Sequence, residues 1–412
     1  MSGGPAAARR LAAIGPRMTP NRTSFAGIFV VTMLTLLAVG AVLPVLPRYV
    51  KGPIGSGDLA VGIVIGSYAV FGLACRPLAG GLADVRGRRP VVIGGALLSA
   101  IAGLLYFVPA GVPGLIVARM FLGIGEGAVY TAGAAWIVDI APVERRGRII
   151  GLYGLAIWGG LSVGPAIGEI LLRATSYEMV WAFAAATPLL AALVALRIPD
   201  SRPGSEERTG SGESVRGRGR EGGWFAAEAV APGSALAMAT LGYAAVASFI
   251  VLHLDERGIG HGAAVFTAFA LSVVAIRLVG GWLPDRFGAS RTAAGAAAVE
   301  AVGLIVIALA QSIGVAIAGA VAMGAAFSLL FPSLALLVVN RVDERRRGLA
   351  MGTFTAFFDA GVGIGAPIAG IAAALGGYGA SFAVAAAAAV ATIFIALSLG
   401  RRFPQAARGS AG

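Results

Sequence analysis

The stretch that decides the fold is Gly80-Gly81-Leu82-Ala83-Asp84-Val85-Arg86-Gly87-Arg88-Arg89, a short charged turn between two long apolar segments. An acid, a helix-breaking glycine and three arginines are accommodated between two segments of spanning length only where both leave the membrane on the same side. The sequence therefore predicts a loop that joins two transmembrane helices.

The same pattern returns in the second half of the chain as Gly281-Trp282-Leu283-Pro284-Asp285-Arg286-Phe287-Gly288. Asp285 and Gly288 follow Asp84 and Gly87 by 201 residues each. The same separation relates Arg76 to Arg277, Gly147 to Gly348, Gly151 to Gly352, Gly160 to Gly361, and Gly164 to Gly365. A fixed period of about half the chain indicates a duplicated structural unit, so two homologous halves are predicted.

The composition is that of a membrane protein. The chain has 412 residues, of which 58% are hydrophobic and 13% charged, more apolar sequence than a soluble core needs. Runs of about 20 apolar residues, enough to span a bilayer, occur twelve times. We expect an all-α membrane protein with twelve transmembrane helices in two pseudo-symmetric six-helix bundles. The predicted divisions are a cytoplasmic tail (1–23), a first bundle (24–199), a cytoplasmic linker (200–224), a second bundle (225–399) and a C-terminal cytoplasmic tail (400–412).

The net charge of +12 follows the topology of the chain and does not indicate nucleic-acid binding. Four basic residues fall on the outer side and three within spans, which leaves 25 of the 32 on the side of Asp84. The outer four are Arg48, Lys51, Arg173 and Arg257, and the three within spans are Arg76, Arg119 and Arg277. This asymmetry is typical of cytoplasmic loops, so we expect a multi-pass protein of the cell membrane with both termini in the cytoplasm.

The first loop resembles the Gly-x-x-x-Asp-Arg/Lys-x-Gly-Arg-Arg/Lys signature between helices 2 and 3 of the major facilitator superfamily. The matching residues are Gly80, Asp84, Gly87, Arg88 and Arg89, and Val85 stands where the family has a basic residue. Arg119 and the glycines after it also resemble the helix 4 motif of the family. The resemblance covers nearly the whole chain and implies a transporter.

A second signature resembles helix 5 of the drug and proton antiporter branch. The matching residues are Gly151, Gly160, Gly164, Pro165 and Gly168, with Glu169 in the place of the last glycine. Small residues at this spacing allow helix backbones to approach closely. The resemblance implies a packing role for these glycines, in close contact between the halves that limits leakage.

The fourth span carries polar residues on one stripe. Arg119, Gly123, Glu126 and Tyr130 are at i, i+4, i+7 and i+11, which places them on one helix face. A charged group near the bilayer centre costs at least ~2.5 to 3.5 kcal/mol on insertion scales. Two interpretations are open: a buried ion pair that only fixes helix packing, or a site for substrate or protons.

Several enzyme and metal-site interpretations are excluded by the residues present. Lys51 is the sole lysine, so the chain has no phosphate-binding Gly-x-x-x-x-Gly-Lys loop. The Gly-x-Ser-x-Gly match at Ser162 has no strand before the serine. With one cysteine, Cys75, and two histidines, His253 and His261, expected in exposed loops, the sequence predicts no metal site and no cofactor.

These observations predict a proton-coupled secondary transporter that exports small amphipathic molecules or drugs, and no enzyme activity. Carboxyl groups in a low dielectric can take up and release protons near physiological pH. The candidate proton carriers are Glu126 and Asp359, followed by Glu169, with Arg76, Arg119 and Tyr130 completing the expected cavity. The expected partners are a small molecule, protons and the lipid bilayer, and we expect a monomer.

Two alternatives remain open. The first is a proton symporter or facilitator that takes up a small organic solute, with Arg119 or Arg76 binding an anionic group. The second is a transporter-like membrane receptor.

The resemblance also implies a conformational switch at the first loop. In the family, the acid that matches Asp84 contacts the start of helix 11 in the outward-open state. In this chain the start of helix 11 is near Gly348. Unpaired N–H groups and the positive end of the helix dipole would attract the carboxylate there. Arg88, Arg145 and Arg146 would extend this contact into a charge network.

Overall fold

A computed structural model of the chain describes residues 22–142, 146–199, 225–343 and 346–402. The predicted linker and all but a few residues of the two predicted tails lie outside these ranges. Within them, every regular element is a helix.

Within the described ranges, twelve helices are long and apolar enough to cross a membrane, which confirms the predicted number. They are α1 (Arg22–Val42), α2 (Asp58–Arg86), α3 (Arg88–Leu105), α4 (Gly111–Ile140), α5 (Arg146–Ala174), α6 (Tyr177–Leu196), α7 (Val230–Glu256), α8 (Gly262–Val279), α9 (Ala289–Leu309), α10 (Ile313–Val339), α11 (Arg347–Gly376) and α12 (Tyr378–Arg402). A short helix, Leu46–Lys51, continues α1, a second, Leu283–Phe287, follows α8, and a 3-10 turn, Ala227–Ala229, precedes α7.

The two ends of the bundle are named here after their acids. The Asp58 end contains the start of α2, and the Asp84 end contains the turn between α2 and α3. Gly87 forms this turn with a φ of 95°, and Gly288 forms its counterpart with a φ of 86°. Residues other than glycine rarely adopt these backbone angles, which explains the glycine at both positions.

The two halves repeat one packing order. In the first half, α1 packs on α5, α2 on α4, and α3 on α4 and α6. In the second half, α7 packs on α11, α8 on α10, and α9 on α10 and α12. These are the same pairs shifted by six helices. The halves meet through α2 with α11 and through α5 with α8.

Glycines bring α2 and α11 into close contact toward the Asp58 end. A Cβ atom at Gly66 would lie 2.6 Å from the carbonyl oxygen of Gly363, and one at Gly370 would lie 2.7 Å from that of Asp58. At the Asp84 end of α11, a Cβ atom at Gly348 or Gly352 would have no neighbour within 4 Å. The two halves are therefore closed at the Asp58 end.

The glycines of α5 do not make the contact between halves that the helix 5 resemblance implied. Cβ atoms at Gly160 and Gly164 would meet Met33, Leu37 and Gly40 of α1 at 2.7 to 2.8 Å, and one at Gly168 would overlap Ala41. Their four-residue spacing places them on one helix face, and that face packs on α1 in the same half. Pro165 also lies against Gly40, whereas a Cβ atom at Gly151 would meet open space.

Candidate functional site

The polar stripe of α4 faces α2. Gly123 lies so close to α2 that a Cβ atom there would overlap the carbonyl oxygen of Tyr68. Arg119, Glu126 and Tyr130 each interact with side chains or carbonyls of α2. The stripe is therefore part of a helix interface within the first half.

Arg119 does not form the ion pair with Glu126 that one interpretation of the stripe required. Its guanidinium donates to the carbonyl oxygens of Val64 at 3.2 Å and Ile65 at 3.0 Å. It also lies 4.7 Å from the ring centre of Tyr68. The side chain is 1% exposed, so Arg119 joins α4 to α2.

Arg76 joins the two halves. Its Nε donates to Oδ2 of Asp359 at 2.6 Å, and its Nη2 donates to Oδ1 at 3.1 Å. Paired N–H donors of this kind fix both the energy and the geometry of an arginine–carboxylate contact. The guanidinium also lies 4.7 Å from the ring centre of Tyr130. Asp359 on α11 and Tyr130 on α4 thus meet the same arginine of α2.

Glu126 lies beside this ion pair. Its side chain is buried, at 6% exposure, and is within reach of the Tyr68 hydroxyl. Arg76 and Asp359 are the charged groups that act on it. We call Tyr68, Arg76, Glu126, Tyr130 and Asp359 the Arg76 cluster.

Aromatic residues occupy the positions that the repeat relates to three members of the Arg76 cluster. Phe269 matches Tyr68, Phe327 matches Glu126, and Trp158 matches Asp359. The ring centres of Trp158, Phe269 and Phe327 lie 5.7 to 6.1 Å apart. We call these three residues the Trp158 cluster. It packs α5 against α8 and α10 across the two halves without charged groups.

The structure places Glu169 apart from the other candidate proton carriers. It accepts from Arg48 at 2.5 Å and from Arg173 at 2.6 Å near the Asp58 end. Arg48 also donates to Asp255 of α7 at 2.6 and 3.0 Å. Glu169 therefore belongs to an ion-pair network that closes this end, and its assignment as a proton carrier remains a prediction.

The Asp84 loop is tied to its own half. Arg88 pairs with Asp84 and donates to Asp139 at 3.1 Å, and Arg89 donates to the carbonyl oxygen of Leu196. Asp84 is largely exposed and lies away from Gly348. In the matching loop, Asp285 is exposed and Arg286 lies over the ring of Trp282. The side chains of Arg145 and Arg146, expected in this network, lie outside the described part of the chain.

Two ionisable residues lie deep in the second half. Glu300 is fully buried, and neither of its oxygens has a hydrogen-bond partner among the described residues. His253 was expected in an exposed loop, and this is wrong: it is 1% exposed because α7 extends to Glu256 and packs on α9. His261 is exposed, as expected. Within the described ranges, no group of three or more His, Cys, Asp or Glu side chains comes together in a possible metal site.

The structure has two six-helix halves that are closed at one end and have one charged cluster between them. The sequence of the chain also matches a family model. The Major Facilitator Superfamily model covers residues 28–260 and, in a second match, residues 230–411. The chain belongs to the Major Facilitator Superfamily. It is thus a multi-pass membrane transporter, and members of this family are not enzymes.

Relatives in this family come from several bacteria. The chain is 33% identical over 385 residues to the uncharacterized MFS-type transporter STM4428 of Salmonella typhimurium, across 91% of this chain and 96% of that one. It is 28% identical to the uncharacterized MFS-type transporter YhhS of Escherichia coli K12, across 90% of each chain.

Among solved structures, the human organic anion transporter MFSD10 superposes with a TM-score of 0.68 at 18% identity, across 92% of this chain and all of that one. The nucleoside transporter NupG superposes with a TM-score of 0.74 at 13% identity, across 91% of this chain and 99% of that one. At these identities the likeness shows the fold alone.

Sequence reasoning missed Tyr68 and the ion pair between Arg76 and Asp359. A signal for both was present in the repeat. Positions that are polar in one half and aromatic in the other, such as Tyr68 with Phe269 and Asp359 with Trp158, mark where the two halves differ in chemistry.

Proposed function

We propose that the protein is a proton-coupled secondary transporter that works by alternating access, with Glu126 and Asp359 as the proton-carrying groups. The observation that carries the proposal is the position of the Arg76 cluster. It contains two buried carboxyl groups, and one of them forms the ion pair between α2 and α11. Ionisable residues inside a membrane bundle are costly and commonly mark ion pathways.

The ion pair offers a physical link between proton binding and movement of the halves. Asp359 accepts two charge-assisted hydrogen bonds from Arg76 while it is ionised. A proton on Asp359 removes the charge that holds α11 to α2. Glu126 faces the same arginine and can replace Asp359 as its counter-ion. The proton therefore changes which contact Arg76 makes, and with it the stability of one arrangement of the halves.

The transported molecule is proposed to be a small amphipathic compound or drug, exported in exchange for protons. Symport or facilitated uptake of a small anionic solute is a second candidate, and one observation favours it. Arg277, the counterpart of Arg76, has no acidic partner among the described residues. The sequence alternative named Arg119 or Arg76 for the anion, but both donate to protein groups.

Transport in proteoliposomes tests the proposal. A growth-resistance screen in a strain that lacks its own exporters supplies candidate compounds. Flux of a compound identified by this screen is then measured with and without an imposed pH gradient. Glu126→Gln should abolish the pH-driven part of the flux, because glutamine keeps the size of the side chain but cannot ionise.

Glu300→Gln is the matched control, since Glu300 is equally buried but lies outside the Arg76 cluster. It should leave pH-driven flux unchanged. Normal pH-driven flux in Glu126→Gln would move the assignment to Asp359 or Glu169. The direction of substrate flux relative to the proton gradient, measured in the same vesicles, separates export from uptake.

The proposed topology places the Asp84 end, both termini and the linker in the cytoplasm, around bundles at 24–199 and 225–399. It is supported by the excess of arginine on that side. Single cysteines in place of Gly57 and Ser205, in a Cys75→Ala background, should be labelled from opposite sides of the membrane. Labelling of both from one side would contradict the topology.

A further inference from the structure

Among the described residues, Arg277 is the arginine of the repeat that has no acidic partner. It lies on α8 at the position that Arg76 holds on α2. Arg76 has a bidentate contact with Asp359. At the position that matches Asp359, the chain has Trp158. The two halves therefore share the arginine but not the carboxylate.

The guanidinium of Arg277 faces the other half of the protein. Its Nη1 would lie 3.3 Å from a Cβ atom at Gly154 of α5. Tyr130 of α4 is the one titratable group, among the described residues, that acts on it. Tyr130 also lies against Arg76. Two guanidinium groups thus approach the same tyrosine, and only Asp359 is paired with either of them.

A half-buried cation without a counter-ion is costly within a membrane protein. Its position in the last turn of α8, at the negative end of the helix dipole, offsets part of this cost. The helix dipole provides no acceptor atoms for the five N–H donors of the guanidinium. The planar arrangement of these donors matches carboxylate and phosphate groups. A charge partner for Arg277 must then come from outside the described protein groups.

We propose that Arg277 binds an anionic group, a carboxylate, sulfonate or phosphate, of the transported molecule at the gap beside Gly154 and Tyr130. This rests on the proposed function, because it names the substrate class of the same transporter. Gly154 leaves the guanidinium uncovered on the side of α5, and Tyr130 provides a hydroxyl on the side of α4.

The test uses a cysteine at Gly154 as a reporter, in a Cys75→Ala background and in phosphatidylcholine vesicles. The cysteine is labelled with an anionic reagent, sulfonatoethyl methanethiosulfonate, or its cationic trimethylammonium counterpart. Rates are divided by those for free cysteine. The anionic reagent should be favoured roughly tenfold or more, because one charge is attracted and the other repelled at a few ångströms.

Arg277→Gln should remove this preference, and Arg277→Lys should keep most of it. Arg173→Gln, which removes an arginine at the Asp58 end, is the matched control and should leave it unchanged. Benzoate should slow labelling more than benzyl alcohol, which has the same ring without the charge. An unreactive cysteine, or a preference that survives Arg277→Gln, would overturn the proposal.

A second pair of variants applies if Arg277→Gln does not fold. Gly154→Asp places a carboxylate beside Arg277, and Gly154→Asn adds nearly the same atoms without the charge. With the reporter cysteine moved to Gly151, the aspartate should abolish the anionic preference and the asparagine should retain it. Equal behaviour of the two would contradict the proposal.

Anionic lipid is the other possible source of the charge. Phosphatidylglycerol added to the vesicles should leave the labelling preference unchanged, and its loss would assign the site to a headgroup. None of these measurements requires transport. A failure here therefore leaves the proton-coupling test with Glu126→Gln untouched, and the reverse also holds.

Discussion

The interfaces α2–α11 and α5–α8 occupy equivalent places in the repeat but differ in chemistry. The first contains the ion pair of Arg76 with Asp359 and the close glycine contacts. The second contains the Trp158 cluster, whose three rings pack edge to face. A duplicated backbone therefore does not imply duplicated function. In the proposed mechanism the α2–α11 interface responds to protons, whereas the Trp158 cluster contains no group that titrates.

The largest expected effect separates the two arginines. Asp359→Asn should lower the free energy of unfolding by about 3 to 5 kcal/mol, because it breaks the ion pair that Arg76 forms between the two halves. Arg277→Gln should change it by less than about 1 kcal/mol, because no pair is broken. Thermal and denaturant unfolding of the purified proteins measure both. The double variant Arg76→Gln/Asp359→Asn should recover part of the loss, and equal costs for the two single variants would remove the distinction.

Glu300 tests whether every buried carboxyl contributes to function. Both of its oxygens are unsatisfied, and a buried polar group without a partner costs about 1 to 3 kcal/mol. Glu300→Met should therefore raise the stability by about that amount and leave flux intact. Glu126→Met should abolish pH-driven flux. Loss of flux in Glu300→Met would extend the proton pathway into the second half.

Removing a hydroxyl group from the Arg76 cluster and adding one to the Trp158 cluster compares the two clusters by a single atom. Tyr68→Phe removes the hydroxyl that faces Glu126 and should cost about 1 kcal/mol together with slower turnover. Phe269→Tyr adds a hydroxyl at the matching position, where Trp158 and Phe327 offer no acceptor. It should also destabilise the protein, but with unchanged coupling to pH. Unfolding and flux assays on both variants decide whether the hydroxyl matters through Glu126.

The smallest effect is expected at the two loops. A carboxylate at the start of a helix is worth about 0.3 to 1 kcal/mol, so Asp84→Asn should shift the halves toward the arrangement closed at the Asp58 end. Asp285→Asn should act more weakly, since its loop lacks the paired arginines. Paired distance labels across the Asp84 end measure the populations. Identical populations in wild type and Asp84→Asn would reject a switch at this loop.

The sequence predicted the parts of the fold that depend on local pattern. The twelve helices follow from apolar runs, and the two halves follow from the recurrence of Asp84 as Asp285 and of Gly87 as Gly288. The face shared by Arg119, Glu126 and Tyr130 follows from helix periodicity. These features depend on spacing along one helix or on the repeat.

The partners of the charged residues could not be predicted in this way. Arg76 and Asp359 are 283 positions apart and lie in different halves, so no spacing relates them. Glu169 was grouped with the central acids, but the chain turn at Arg48 places a cation next to it. One interpretation paired Arg119 with an acid, and two carbonyl oxygens of α2 accept from it instead. Each outcome depends on how whole helices dock.

The unpaired charge of Arg277 has an electrical consequence. When a central site is open to one side only, the membrane potential falls across the closed end, so the site adopts the potential of the side it faces. Moving one elementary charge through 100 mV changes the free energy by about 2.3 kcal/mol. Arg76 and Asp359 cancel, so with Glu126 protonated the Arg76 cluster together with Arg277 has one excess positive charge. In the proposed topology, an inside-negative voltage would hold the empty carrier facing the cytoplasm, and a bound anion would release it.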